Sequence, residues 1–304
     1  MPVGRQRFGA AVASGAITQY PVQQLGLDWY LNWGVRMSPA RPGGAAFWQM
    51  VRVSQGGYRP DAGTIQAAAA ANPGSFWIIG NEPDVRWQDS TTPERYAELY
   101  HDLYHLLKGA DPTCRVVIGG VSQPTPLRLA YLDRVLTTYE DRYGTSIPVD
   151  VWNIHVFILR EERDSWGVDI PPGIGANTGM LYEIDDHDNL DILRNHLYTF
   201  RSWMAGHGQR DKPLVITEYG ILMPVDYGFG SERVRAFMTG SFDLFLSAAD
   251  GGVGYPRDGN RLVQWWCWYS LAAPADYYPT GNLVDPATGA LTPVGSAFAA
   301  YASP

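Results

Sequence analysis

Lysine and cysteine are both scarce in this chain of 304 residues, which contains only Lys108, Lys212, Cys114 and Cys267 of these types. The 23 Lys and Arg residues are outnumbered by 31 Asp and Glu residues, and the net charge is −8. This balance argues against a nucleic-acid partner, which would require a basic surface. Two cysteines cannot form a disulfide framework, and we expect both thiols to stay reduced.

Long apolar runs are also missing. No segment approaches the roughly 18 apolar residues of a transmembrane helix, so no membrane partner is expected. Residues 1–7 lack the apolar core of a signal peptide. Localisation stays open: the protein is secreted if a leader was removed and cytoplasmic otherwise. Without internal repeats, low-complexity tracts or a long linker, we expect residues 1–304 to form a single domain and to act as a monomer.

Short apolar runs are plentiful, and they alternate with helical patterns. Eight such runs in about 300 residues favour an α/β fold of the (β/α)₈ TIM-barrel type. A doubly wound sheet is the competing fold, but Gly9 and Gly15 do not form its phosphate-binding turn. The predicted strands are Phe8–Val12, Leu27–Trp33, Phe47–Ser54, Phe76–Asn81, Arg115–Val121, Val149–Phe157, Leu214–Glu218 and Val263–Tyr269.

The helices between these strands have clear end signals. Thr92 and Pro93 begin one helix with an N-cap and a proline at the first position, and Gly109 followed by Pro112 ends it. A short helix near Thr18–Leu25 contains Pro21. The other predicted helices are Thr64–Ala71, Pro126–Arg142, Asn189–Ala205, Glu232–Ala248 and Val294–Ala300.

Two predicted strands end in a glutamate. Strand 4 leads into Gly80-Asn81-Glu82-Pro83, and strand 7 ends Thr217-Glu218-Tyr219-Gly220. In a TIM barrel the carboxyl ends of the strands form the working face, and side chains alternate between the two faces of a strand. We therefore expect Glu82 and Glu218 to point into one cavity.

Two carboxyl groups across a cavity are the equipment for cleaving a glycosidic bond. One must be protonated to donate to the leaving oxygen, and the other must be ionised to attack or to activate water. Different burial and mutual repulsion separate the pKa values of such a pair. A strand cap or a surface salt bridge is the alternative role of each glutamate.

These segments resemble glycoside hydrolase clan A, whose acid/base and nucleophile occupy strands 4 and 7. The stretches at residues 29–33, 81–84 and 149–155 are similar to glycoside hydrolase family 128, the endo-β-1,3-glucanases. The ending from Gly281 to Tyr301 also has some resemblance to family 39. The similarity extends from Phe8 to Tyr301.

The resemblance implies a retaining hydrolase without a cofactor or metal. It assigns Glu82 as acid/base, Glu218 as nucleophile and Asn81 as a hydrogen-bonding partner of the sugar 2-hydroxyl. One position departs from the clan. Relatives often carry a tyrosine that contacts the nucleophile where this chain has Phe157, so Glu218 loses an expected partner.

Several further residues are candidates for substrate binding. His155 and Asn153 share a face near the end of strand 6, although a buried core histidine is the alternative for His155. Arg52 lies inside strand 3, where a buried charge is costly unless it has a partner. That partner is Glu218, a sugar or the carboxylate of a structural ion pair. Asn32, in the stretch at residues 29–33, and Tyr219, next to Glu218, are also candidates.

Tryptophans are the remaining candidates. Trp33 and Trp87 lie in or next to loops on the expected active face, where aromatic rings stack on sugars. Trp266 and Trp268 share one face of strand 8, where the clan resemblance implies an aromatic platform, and core packing is the alternative.

The longest loop, residues 158–188, is rich in acidic residues. A lid, a calcium site and a solvated acidic loop are its three interpretations, and the spacing of a calcium loop is missing. His101 and His105 imitate a zinc-binding helix, but the apolar stripe of that helix leaves both on the polar face, so no zinc is expected.

The sequence therefore predicts a retaining β-glycoside hydrolase with an oligo- or polysaccharide substrate. An exo-acting, xylosidase-like or other glycosidase is one alternative. A carbohydrate-binding barrel that has lost catalysis is the other, motivated by Phe157. Linkage and endo or exo action depend on loop shapes that the sequence does not give.

Overall fold

Ten strands and seven α-helices lie along residues 4–302, the part of the chain that the computed structural model describes. The strands are β1 (Phe8–Val12), β2 (Trp29–Leu31), β3 (Ala46–Phe47), β4 (Gln49–Ser54), β5 (Gly57–Arg59), β6 (Phe76–Ile79), β7 (Arg115–Ile118), β8 (Trp152–His155), β9 (Leu214–Tyr219) and β10 (Trp265–Ala272). The helices are α1 (Val22–Leu25), α2 (Ala62–Ala71), α3 (Pro93–Ala110), α4 (Pro126–Tyr143), α5 (Leu190–Gly206), α6 (Ser231–Ser247) and α7 (Pro293–Ala302).

The strands form two sheets whose edges meet. One sheet has the order β3-β2-β1-β10-β9-β8 and the other β5-β4-β6-β7, and every pair is parallel except β4–β5. Only Trp48 separates β3 from β4, and parallel bridges between Val117 and Val151 and between Val121 and Ile154 join β7 to the β8 segment. The predicted α/β class is confirmed, and each predicted strand overlaps an observed one.

Element ends follow the local signals in the sequence. The hydroxyl of Thr92 accepts a hydrogen bond from the backbone N–H of Arg95 at the start of α3, as its N-cap position predicts. Gly144 ends α4 with a φ of 68°, a left-handed conformation that glycine adopts without strain. The predicted helix at Thr18–Leu25 is reduced to the single turn of α1, which starts directly after Pro21. The antiparallel strand β5 was not predicted.

Apolar residues of both sheets and of the helix faces form one large buried cluster. The stripe of α3 that contains Tyr96, Tyr100 and Leu103 faces this core, and His101 instead contacts the hydroxyl of Tyr139 at 2.9 Å. Cys114 and Cys267 are buried and unpaired. No helix within residues 4–302 is long and apolar enough to cross a membrane.

The loop at residues 158–188 is held by ion pairs, some of them buried, although the side chains of Asp164, Glu183 and Asp185 are solvated as the acidic-loop interpretation expects. Glu161 is fully buried, and its carboxylate accepts hydrogen bonds from Arg128 (2.9 Å) and Thr125 (2.6 Å). Arg128, also fully buried, donates to Asp84 at 2.8 Å and to the carbonyl oxygen of Val168. A helix, the loop and the segment after β6 are thereby joined beneath the surface. The remaining acidic side chains with arginine partners are Glu162, Glu183, Asp164, Asp169, Asp185 and Asp188.

Candidate active site

Glu82 reaches the active face through an unusual backbone conformation. The extended chain of β6 stops at Ile79, and φ is 86° at Gly80 and 45° at Glu82. The period-two alternation used in the sequence argument therefore does not extend to Glu82, although its side chain does line the cavity. A left-handed glutamate costs about 1–2 kcal/mol, and such strain concentrates at functional sites.

Glu218 lies on β9, where pairing with the neighbouring strand is irregular. The register shifts between Ile154 and His155, so that His155 pairs with Glu218. Such irregularities re-aim side chains at the ends of strands. The carboxylate of Glu218 is only 9% exposed and accepts a hydrogen bond from the indole N–H of Trp33 at 2.5 Å.

His155 lies between the two carboxyl groups. Its Nδ1 is 2.8 Å from Oε1 of Glu82, and its Nε2 is 3.8 Å from Oε1 of Glu218. The same Nε2 lies 3.0 Å from the hydroxyl of Thr217. One imidazole ring therefore contacts both candidate catalytic acids, and it is fully buried beneath them.

The charges of this cluster shift one another's protonation. Burial raises the pKa of Glu218 to about 7 against the lowering effect of His155, and the charge of Glu82 adds to the rise. Burial alone would lower the pKa of His155, but the charges of Glu218 and Glu82 raise it overall. Carboxyl groups with raised pKa values next to a charged partner are typical of catalytic sites.

The two glutamates lie at one cavity with a volume of about 620 Å³. This volume is within the usual range of small-ligand sites. The cavity is lined by aromatic and charged side chains from several strand ends and loops, among them Trp33, Arg52, Glu82, Trp87, Phe157, Glu218 and Tyr269. Aromatic walls around a few polar groups suit a sugar ring, which has apolar faces and hydroxylated edges.

Arg52 lines the cavity, and its strongest partner is structural. Its Nε donates to Asp89 at 2.5 Å, and its guanidinium also contacts Gln88 at 3.2 Å. The ion-pair alternative of the sequence analysis is the one observed. The charge of Arg52 still lowers the pKa of Glu218, so Arg52 acts on the site from one wall.

Asn81 and Asn153 occupy buried positions around the site, and Asn32 is half-buried. Asn81 is 2% exposed, and its side-chain oxygen has no hydrogen-bond partner within residues 4–302. The side-chain oxygen of Asn32 is in the same situation. Asn153 is bound instead to Thr217, beneath His155, so it supports the site from below.

Three aromatic candidates lie in the core rather than at the cavity, which corrects their predicted role. Tyr219, Trp266 and Trp268 are fully buried and pack towards α6, against Phe237, Phe242 and Phe245. The alternation along β10 is real, but the opposite face, with Tyr269, points to the cavity. Both faces of a barrel strand are apolar, so hydrophobicity alone does not identify the inner one.

Trp33 and Trp87 line the cavity as the sequence analysis expected, and Trp87 is 61% exposed. Tyr269 and the exposed pair Tyr277 and Tyr278, which follow β10, also line the cavity and were not predicted. The rule that loops after barrel strands carry function would have found this pair. Within residues 4–302, no group of three or more His, Cys, Asp or Glu side chains is arranged to hold a metal ion.

Comparison with known proteins gives a consistent result at the level of the fold. No family model and no curated protein matches the chain. Among solved structures, it is similar to an endo-β-1,3-glucanase of glycoside hydrolase family 128 from Sorangium cellulosum, with 18% identity, coverage of 96% of this chain and 97% of that one, and a TM-score of 0.65.

Two further family 128 structures match equally well. An endo-β-1,3-glucanase from Amycolatopsis mediterranei in complex with laminarihexaose has 18% identity, a TM-score of 0.64 and coverage of 97% and 99%. A curdlan-specific exo-β-1,3-glucanase from Blastomyces gilchristii has 18% identity, a TM-score of 0.63 and coverage of 97% and 98%. The chain has the TIM-barrel-like fold of these hydrolases, and the predicted resemblance to family 128 is confirmed at that level.

Proposed function

We propose that this protein is a retaining glycoside hydrolase that cleaves β-1,3-linked glucan, with Glu82 as acid/base and Glu218 as nucleophile. The observation that carries the proposal is the pair of buried carboxyl groups on opposite sides of one imidazole, at a single aromatic-lined cavity. Similarity in fold to β-1,3-glucanases favours the linkage.

Residues 1–304 form one catalytic domain, and its described part, residues 4–302, is a closed (β/α)₈ barrel. Closure is supported by the short distance in sequence between β3 and β4 and by the bridges between β7 and the β8 segment. Hydrogen bonds from the backbone N–H of Trp48 to Tyr30 and of Met50 to Gly34 continue the ring past β2. A barrel of this kind brings strands 4 and 7 to the same face.

Cleavage follows a double displacement. Glu218 attacks the anomeric carbon while Glu82 protonates the leaving oxygen, which produces a covalent glycosyl-enzyme. Glu82, now ionised, takes a proton from water as the water displaces Glu218. Asn81, whose buried side-chain oxygen lacks a partner within residues 4–302, contacts the sugar hydroxyl groups.

The missing tyrosine at Phe157 does not leave Glu218 without a neutral donor. The indole N–H of Trp33 donates to its carboxylate at 2.5 Å, and this hydrogen bond lowers the pKa of Glu218. A neutral donor holds the attacking carboxylate in place without adding a charge. We therefore favour an active hydrolase over a barrel that only binds carbohydrate.

The test is incubation with β-1,3-, β-1,4- and mixed-linkage glucans, followed by analysis of the products. We expect hydrolysis of the β-1,3 glucan, with chain lengths of the products separating endo from exo action. Glu82→Ala and Glu218→Ala should each abolish turnover while circular dichroism remains unchanged. Glu232→Ala, at an exposed position of α6, is the matched control and should keep the wild-type rate. Wild-type turnover by either site variant would refute the assignment.

A further inference from the structure

His155 forms hydrogen bonds through both ring nitrogens, and its neighbours determine which nitrogen carries a proton. Nε2 lies 3.0 Å from the hydroxyl oxygen of Thr217, and Nδ1 lies 2.8 Å from Oε1 of Glu82. A neutral imidazole has one donor nitrogen and one acceptor nitrogen. The identity of the donor therefore decides what the carboxyl group of Glu82 must do.

Asn153 fixes the direction of the first hydrogen bond. The backbone N–H of Thr217 can only donate, and it points to Oδ1 of Asn153 at 3.2 Å. This contact establishes which side-chain atom of Asn153 is the oxygen. The hydroxyl of Thr217 lies 2.9 Å from the same oxygen, which can only accept, so the hydroxyl hydrogen points to Asn153.

The hydroxyl oxygen of Thr217 is therefore left as an acceptor towards His155, and Nε2 must carry a proton. The opposite orientation would turn lone pairs of Thr217 and Asn153 towards each other at 2.9 Å. Both residues are buried, and an unmade hydrogen bond is costly in such surroundings.

We propose that Asn153 and Thr217 hold a proton on Nε2 of His155, so that the hydrogen bond between Nδ1 and Glu82 must contain a second proton, the one delivered to the leaving group. This inference rests on the proposed function and deepens it. Asn153, Thr217 and His155 are positioning residues that act through Glu82. Neither Glu82 nor His155 can lose this second proton without placing a lone pair of Nδ1 against a carboxylate.

The charged groups that face His155 from the neighbouring strands are all negative. Glu82 and Glu218 contact the ring, and Asp84 acts on it from farther away. Asp84 is itself paired with Arg128. Negative charge on these sides of the imidazole favours retention of the second proton in the pair.

The opposite wall carries a cation with its own partner. Arg52 on β4 acts on Glu218 and is paired with Asp89. Its charge therefore supports the ionised form of the nucleophile rather than removing the proton from the His155–Glu82 pair. The His155–Glu82 pair thus holds one proton for transfer, and the charges of His155 and Arg52 oppose the burial that raises the pKa of Glu218.

The proton balance of the first step follows from this arrangement. The second proton passes through Glu82 to the leaving oxygen, which also takes the electron pair of the broken glycosidic bond, while Glu218 forms the bond to the anomeric carbon. Glu82 is then a carboxylate opposite the bare Nδ1 of His155. That repulsion makes Glu82 a strong base for the water that completes the reaction.

Thr217→Val and Thr217→Ser test the inference through the pH dependence of kcat/KM. Valine removes the acceptor, so neutral His155 is free to carry its single proton on Nδ1 and donate it to ionised Glu82. The deprotonated pair becomes more stable, and we expect the alkaline limb of the profile to move to lower pH by about one unit. Serine keeps the hydroxyl, so its profile should coincide with that of the wild type. A valine profile identical to that of the wild type would overturn the inference.

Nitrogen-15 NMR of the histidine rings provides a readout that does not depend on activity. In the wild-type protein we expect Nε2 of His155 to be protonated throughout the neutral range, and the signal is assigned from the spectrum of His155→Gln. A neutral His155 with its proton on Nδ1 would contradict the inference even if Thr217→Val fails to fold. If no glucan is hydrolysed, the proposed function fails, while the NMR spectrum still decides this inference.

Discussion

Two buried histidines, His155 and His187, are held in opposite ways. His155 lies between carboxyl groups that raise its pKa, and we infer that Thr217 and Asn153 hold a proton on its Nε2. His187, in the long loop, accepts the backbone N–H of Leu222 at Nε2 and donates from Nδ1 to the carbonyl of Ile158, both at 2.9 Å. Burial lowers the pKa of His187 to about 4.

The polar groups around the two rings also differ in whether they have hydrogen-bond partners. Around the loop, Arg128 and His187 form hydrogen bonds with other groups of the protein. At the strand ends, the side-chain oxygen of Asn81 and the side-chain nitrogen of Asn153 lack partners within residues 4–302. The loop contacts of Arg128 and His187 are thus satisfied within the protein, whereas the proposed substrate would supply the missing partner of Asn81.

The largest expected effect is loss of activity without loss of stability in Glu218→Gln. The amide keeps the shape and still accepts from Trp33, but it cannot attack the anomeric carbon. We expect turnover to fall at least about a thousandfold. Because burying a charge is costly, the free energy of unfolding should stay the same or rise. Hydrolysis assays and denaturant unfolding measure both effects, and a destabilised variant would show that Glu218 is structural.

Arg128→Met should have the reverse effect. It leaves Asp84 and Glu161 buried without their cation, which typically costs about 3–5 kcal/mol of stability. Arg134→Met is the matched control on the same helix, because its ion pair with Glu94 is exposed and worth no more than about 1 kcal/mol. Equal unfolding free energies of the two variants would refute the contrast between the regions.

A smaller effect is expected on the stability of the protein at low pH, through His187 in the long loop. The unfolded histidine has a pKa near 6.5, and folding lowers that of His187 to about 4, so below pH 6.5 only the unfolded chain binds the proton. Stability is therefore lost as the pH falls from 6.5 towards 4. His187→Gln keeps a donor and an acceptor but does not titrate.

The difference in unfolding free energy between wild type and His187→Gln isolates this contribution, since His196 titrates in both proteins. Between pH 7 and pH 5 it should change by about 2 kcal/mol to the disadvantage of the wild type. Parallel stability curves would mean that His187 is not held neutral in the folded protein.

The smallest expected effect concerns Trp87. Its ring is 61% exposed at the cavity, so Trp87→Ala should leave the stability within about 0.5 kcal/mol of the wild type. Loss of a stacking surface should weaken binding of a β-1,3-glucan oligosaccharide by up to about tenfold. Titration calorimetry with the inactive Glu218→Gln background measures this change, and unaltered affinity would exclude Trp87 from the binding surface.

Local patterns were sufficient for the order of strands and helices and for the two glutamates. Glu82 and Glu218 each follow an apolar run, and both line the cavity. The prediction of which face of β10 lines the cavity was wrong. The strand is buried on both sides, so Trp268 and Tyr269 are distinguished only by what packs against them. Sequence patterns of period two contain no such information.

Contacts between distant segments were beyond prediction for another reason. Trp33 reaches Glu218 across 185 positions, and Arg128 joins Asp84 to Glu161 across three elements. The hydrogen bonds that link Asn153, Thr217 and His155 also lie beside the register shift between β8 and β9. These arrangements follow from how the strands are packed, and a single sequence does not specify that packing.

Trapping the glycosyl-enzyme tests the central claim most directly. A β-1,3-linked disaccharide carrying fluorine at C2 and a fluoride leaving group should form a stable ester, and peptide mass spectrometry should locate it on Glu218. Release of the sugar with retained anomeric configuration would complete the evidence for double displacement. A label on Glu82, or hydrolysis with inversion and no labelled peptide, would contradict the account.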